Sequence, residues 1–297
     1  MADTKVSALT QVTTLEGEDQ VYLVETDAGP GSAKATISQI RNLITPRGYI
    51  FGLRLVNDAG DTTNDIEVQP GEAMAESHDE VMTLAAVTTK QIDAAWTVGD
   101  NQGGMNTGSV ANDTWYEVHL IKRVDTGVVD VMFTTTANRA TLPANYTKQR
   151  RIGWVRRGTA TNLQFVQVED YFTLVTAIND GATIAVTTTE TLQTLTVPPS
   201  TIARFRAAIV VNTTTVGNSG VLFCDPIETS TPDDLTGLLS LGNLDAAAAA
   251  GAQAGHFEVR VDASSQITYD SEATTGSPTF DISTYGWIDH RRRLDAV

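Results

Sequence analysis

The strict alternation across residues 114–134 constrains the fold of this chain more than any other feature. From Thr114 to Val124, Tyr116, Val118, Leu120 and Val124 fall on one face, with Glu117, His119 and Arg123 on the other. Side chains at a spacing of two share a face only in an extended strand. After Asp125, Thr126 and Gly127 the pattern resumes: Val129, Val131 and Phe133 point one way, Asp130, Met132 and Thr134 the other. This reads as a β-hairpin in which Gly127 takes the positive φ of a short connection. One apolar and one polar face predict an antiparallel sheet packed on one side and wet on the other. On that reading His119 is a solvated surface histidine.

The same texture runs through most of the chain and predicts a mainly β fold. Candidate strands lie at 49–56, 66–69, 81–87, 115–124, 128–134, 151–156 and 163–168, joined by turns rich in Gly, Asn, Asp and Thr such as 58–65 and 99–104. Many short strands at this spacing favour a sandwich or barrel. Further on, Phe205, Ala207, Ile209 and Val211 alternate with Arg204 and Arg206, and Phe257, Val259 and Val261 alternate with Glu258, Arg260 and Asp262. Between them, 231–235 opens like a helix, with Pro232 at its first position and Asp233 and Asp234 near the positive end of the dipole. The alanine run 246–250 either extends that helix or lies in a loop.

A chain of 297 residues exceeds what one core of ordinary size holds. The reading is an N-terminal anchor at 1–46, then two antiparallel β-sandwich (jelly-roll-like) domains at 47–173 and 174–297. In the anchor, Val21 and Leu23 oppose Tyr22 and Val24 on a strand covered on both sides. The helix that follows is sharply marked: Thr36 and Gln39 form a capping box, Ile37, Ile40, Leu43 and Ile44 make one stripe, and Pro46 ends it. So short a helix is marginal alone, so its stripe must dock either on its own chain or on a neighbouring subunit.

Acidic residues outnumber basic ones 36 to 20, a net charge of −16. Phosphate backbones repel such a chain, so no nucleic-acid partner is expected. The single cysteine, Cys224, excludes an intrachain disulfide and reads as a small apolar strand residue. No stretch approaches the roughly 18–20 consecutive apolar residues of a membrane span, and Met1-Ala-Asp-Thr-Lys lacks the features of a signal peptide. The expectation is folding in a cytoplasm without membrane insertion.

No enzymatic motif emerges. His78, His119, His256 and His290 are scattered, with neither a Gly-x-Ser-x-Gly elbow nor a His-Glu-x-x-His pair. Asp58, Asp61 and Asp65 lack the spacing of a calcium loop and read as a turn in which Asp and Asn bond nearby amides. The neighbouring carboxylates Glu169 and Asp170, like Asp233 and Asp234, diverge on an extended chain and do not face each other as glycoside hydrolysis requires. No catalytic residue, metal ligand or cofactor is assigned, and the chain is read as a non-enzyme. The basic residues are informative instead. Lys148, Arg150, Arg151, Arg156 and Arg157 fall within ten positions, and Arg291 to Arg293 lie near the end. Their guanidinium groups pair either with carboxylates of the same chain or across a subunit interface. Among the tryptophans Trp96, Trp115, Trp154 and Trp287, Trp115 shares the polar strand face and is the candidate for sugar contact.

Several of these segments carry a resemblance. Trp96-Thr-Val-Gly, Asp100-Asn-Gln-Gly-Gly, Asp113-Thr-Trp-Tyr-Glu-Val-His-Leu-Ile, Asp125-Thr-Gly-Val-Val-Asp-Val-Met-Phe, Leu142-Pro and Arg150-Arg-Ile-Gly-Trp together resemble a module of tail-fibre and other minor structural proteins of tailed bacteriophages. Met1-Ala-Asp-Thr-Lys-Val-Ser-Ala-Leu-Thr, Gly17-Glu-Asp and Lys34-Ala-Thr-Ile-Ser-Gln-Ile are similar to the opening segment of many phage fibres and virion-attached proteins. The resemblance implies a virion structural protein made in the host bacterial cytoplasm, part of a tail fibre or its attachment base. It further implies a homotrimer, with other tail or capsid proteins as partners. A carbohydrate-binding adhesin for a host surface glycan, and a capsid decoration or head-fibre protein, are the alternatives. The candidate assembly interface is Ile37, Ile40 and Ile44 with Arg150, Arg151, Arg156 and Arg157.

Overall fold

Strands dominate the computed structural model, which describes residues 16–25, 31–211, 220–228, 240–241, 251–271 and 278–291. The fold is mainly β, with a single α-helix, Ile37–Ile44, among the described residues. The expectations placed on 1–10, 231–235, 246–250 and 292–293, and on the side chains of 22–25, lie outside what is described.

The predicted hairpin sits inside a seven-stranded sheet. Its strands are, in spatial order, Lys148–Arg157, Thr114–Lys122, Val129–Thr134, Gln102–Met105, Thr88–Ala95, Asp65–Val68 and Leu55–Asn57. Thr114–Lys122 and Val129–Thr134 pair antiparallel from Glu117 opposite Thr134 to Lys122 opposite Val129, and Gly127 has φ 74° as the turn demands. Gln102–Met105 runs parallel to both of its neighbours, so the sheet is mixed and not purely antiparallel. That glycine-rich stretch reads as a loop in sequence. It is a strand because Gly104 has no side chain: a Cβ there would lie 2.6 Å from the Phe133 ring.

The single strand expected at 49–56 is broken in two. Gly52 (φ 67°) and Leu53 (φ 53°) turn the chain out of one sheet and into another. Ile50–Gly52 joins a three-stranded antiparallel sheet with Gly71–Met74 and Val81–Leu84, while Leu55–Asn57 forms the edge of the large sheet.

Beyond residue 164 a five-stranded sheet runs Phe165–Val168, Tyr171–Ala185, Thr279–Ile288, Ile202–Val211 and Gly251–Arg260. A four-stranded sheet of Thr191–Thr194, Gln266–Asp270, Val221–Cys224 and Ser240–Leu241 faces it. The two meet through aromatic rings: Phe205 to Phe223 at 5.3 Å, Phe223 to Phe280 at 5.5 Å and Tyr269 to Phe280 at 4.8 Å. Edge-to-face contacts of this kind add about 0.5–1.5 kcal/mol each beyond the area they bury. Tyr171–Ala185 escapes a period-two reading because its pairing shifts register three times between Thr173 and Ile184. The position 173/174 falls within this strand. Apolar side chains on both sides of it belong to one buried cluster, and Phe172 stacks on Trp287 at 4.9 Å.

The polar face of the hairpin is not wet. Glu117, His119, Asp130 and Met132 are all buried. The segment after Thr134 folds back through a 3-10 turn at Thr136–Asn138 and delivers Arg139 to Glu117. From the other direction Trp96 donates its Nε1–H to Val131 O at 2.9 Å and packs edge-on against Tyr146 at 5.1 Å. His119 therefore lies in the interior. Its Nε2 is 2.8 Å from Glu117 Oε2. Burial alone would raise the Glu117 carboxyl, but hydrogen bonds from His119 and Arg139 hold it at about 2. An ionised carboxylate only accepts, so His119 Nε2 carries the shared proton. Lys90, fully buried, reaches Asp130 at 3.0 Å, Thr97 O at 2.7 Å and Gly99 O at 2.8 Å. The polar residues alternate because they pair with one another beneath the covering loops.

Candidate functional site

The helix presents its apolar stripe outward. Thr36 accepts from the Gln39 N–H while Gln39 accepts from the Thr36 N–H, completing the predicted capping box, and the helix ends ahead of Pro46. The preceding turn fixes its start: Ile37 N–H donates to Asp19 O and Ser38 N–H to Gly17 O. Its polar residues bind the body. Val81 N–H donates to Asn42 Oδ1 at 3.0 Å, and Arg41 pairs with Glu72 at 2.5 Å. Glu72 also accepts from Tyr49 and Thr83, so the tie is a small network and not a lone surface pair. With Arg41 and Asn42 tied to the body, the C-terminal part of the stripe stays in water. Leu43 is 86% exposed and Ile44 73%; Ile37 and Ile40 are half-buried, and no residue of the helix is buried. Beside it a groove of about 260 Å³ is lined by Gln39, Asn42, Leu43, His78 and Asp79.

The arginine-dense strand behaves in the opposite way. Arg151 makes a two-pronged pair with Asp289, at 2.6 and 3.0 Å, and lies over the Trp154 ring at 5.2 Å. Arg150 is buried and donates to Arg291 O at 3.0 Å. Arg157, also buried, donates to Thr63 O at 2.5 Å and tethers the acidic turn. Arg156 is half-buried, 3.3 Å from Asp113. Arg150, Arg151 and Arg157 thus clamp the Asp289–Arg291 turn and the 58–65 turn of their own chain. Removing one partner of a buried pair such as Arg151–Asp289 costs about 3–5 kcal/mol.

Trp115 is half-buried and packs edge-on against Trp287 at 5.1 Å, sealing the core where the two large sheets meet. One edge of its ring is taken up by that contact. Cys224 is buried, and burial, reinforced by nearby carboxylates, pushes its thiol up to about 11. In the acidic turn, Asp58 accepts from the N–H groups of Gly60 and Asp61, and Asp61 from those of Thr63 and Asn64. Asp65 is enclosed, and burial together with Asp61, Asp58 and Asp93 pushes it up to about 6. Glu169 is exposed while Asp170 is buried and paired with Arg291, so the two carboxylates diverge. No helix among the described residues is long and apolar enough to cross a membrane.

The sequence marks the helix, its caps and its apolar stripe but leaves open whether that stripe docks on its own chain or on a neighbour; Asn42 gives no pattern signal, and its bond to Val81 ties the polar side to the body. No family model matches the chain, and no curated protein matches it.

Proposed function

We propose that this chain is a non-enzymatic structural subunit of a tailed-bacteriophage particle, part of a tail fibre or its attachment base. It acts by assembly: an N-terminal anchor at 1–46 docks through the Ile37, Ile40, Leu43, Ile44 stripe, and a β body of two jelly-roll-like sandwiches extends from it. The observation that carries this reading is the orientation of the helix. A chain that locks a short helix by its polar side and leaves Leu43 and Ile44 in water forgoes about 1.5–3 kcal/mol for each such side chain it could have buried. A partner that covers them recovers that free energy. Three copies meeting about an axis would do so with one another, each placing apolar side chains toward the groove beside its neighbour's Leu43.

The resemblance in residues 1 to about 170 supplies the particle, and the interleaved rings of the five- and four-stranded sheets support the sandwich description. Immunogold electron microscopy of phage particles with an antibody against this chain tests the assignment. Label on the tail or its base is the expected outcome; label on the head points to the decoration alternative, and particles free of label contradict the virion reading.

A further inference from the structure

A second cavity, of about 480 Å³, is lined by Ile50, Phe51, Gly52, Arg54, Gln167, Glu169 and Arg291. Its volume falls within the range of small-molecule sites. We propose that it binds a pyranose ring of a neutral glycan, with Phe51 as the stacking wall and Arg54 and Glu169 as the donor and acceptor for ring hydroxyls.

Three observations converge there. The first is an unspent set of side chains. Phe51 is 68% exposed, the largest aromatic surface left in water among the described residues. The side chains of Arg54 and Glu169 have neither a hydrogen bond nor an ion pair among the described residues, although almost every other cation near the core is committed. The second is backbone strain. Gly52, Glu169 and Arg291, all lining residues, have φ of 67°, 54° and 50°, and Leu53 next to them has 53°. Left-handed backbone at non-glycine residues costs of order 1 kcal/mol apiece and persists only where the surroundings enforce it. The third is a rigid floor. Arg291 is buried and donates to Gly52 O and Asp170 Oδ1, and Gln167 accepts from Leu55 N–H while donating to Glu169 O. Segments 50–55, 167–170 and 289–291 are thereby cross-linked into one frame, the preorganisation a binding site needs.

The lining selects the ligand class. A guanidinium offers a planar fork of donors and a carboxylate only accepts, so together they match adjacent hydroxyls, each of which does both. An apolar ring face beside them matches the C–H face of a sugar. A purely anionic ligand would meet Glu169 and a purely cationic one Arg54 and Arg291, so neutral polyols fit best. This site stands whether or not the chain is a virion component.

The test is ligand-observed NMR with the full chain and a panel of neutral trisaccharides (maltotriose, triacetylchitotriose, mannotriose), with diglycine as a zwitterionic control. Binding of at least one trisaccharide is expected with a Kd of about 0.1–10 mM. Phe51→Ala and Glu169→Gln should each weaken it at least about tenfold, with melting temperature and sedimentation unchanged, since both side chains are exposed. The proposal is overturned if no trisaccharide binds at about 20 mM, if Phe51→Ala leaves the affinity unchanged, if diglycine binds in their place, or if Phe51→Ala alters self-association instead.

Discussion

The Lys148–Arg157 strand and the Ile37–Ile44 helix treat the aqueous boundary in opposite ways. The strand carries a dense run of cations and turns most of them inward, onto Asp289, Arg291 O and Thr63 O. The helix carries an apolar stripe and turns it outward, held by Arg41 on Glu72 and Asn42 on Val81. The difference shows that the position of hydrogen-bond partners, more than residue polarity, decides which face is buried. A buried guanidinium is tolerable when a carboxylate and carbonyls meet it; an exposed leucine persists when the polar side of its helix is already tied down.

The largest effects should come from breaking the buried charge. Asp289→Ala leaves Arg151 without its partner and should cost about 3–5 kcal/mol in urea denaturation. Lys90→Met strands Asp130 and should cost a similar amount; a loss below about 1 kcal/mol in either would mean that these charges are hydrated and the inward-turned description is wrong.

Acidity should sharpen the same point. Glu117 has a folded pKa of about 2, below its ordinary value of 4.5, so its stabilisation is complete above about pH 4.5 and is lost as pH falls toward 2. The loss approaches about 3 kcal/mol. Glu117→Gln should flatten this part of the acid unfolding curve. Asp65 has the opposite sign: its folded pKa of about 6 lies above 3.8, so ionising it costs stability as pH rises from about 4 to 6. Asp65→Asn should therefore stabilise the chain at pH 7, by up to about 2 kcal/mol, and remove the gain in stability expected on acidifying from pH 6 to 4.

Much of the architecture is legible in the sequence, for reasons that explain the failures too. The hairpin, the Ile202–Val211 strand and the helix with its caps are read correctly because each depends on local periodicity and local hydrogen bonds. Gln102–Met105 is missed because its glycines are dictated by Phe133, a contact made 29 residues later in the chain. Tyr171–Ala185 is missed because bulges break its alternation. The alternation of Glu117 and His119 correctly reports two chemically different faces, but not that Arg139 and the 135–147 segment would cover the polar one. The Phe51 cavity has no sequence signature, since its lining comes from three distant segments.

The smallest effect on stability should accompany the largest on assembly. Leu43→Ser combined with Ile44→Ser should change the unfolding free energy of the isolated protomer, measured at concentrations too low for assembly, by less than about 0.5 kcal/mol, since both side chains are in water there. The direct test of the outward stripe is sedimentation velocity of the full chain at micromolar concentration, with and without this double substitution. The account predicts a trimer for the natural sequence and a monomer for the variant; a natural chain that remains a monomer, or a variant that still assembles, would contradict it.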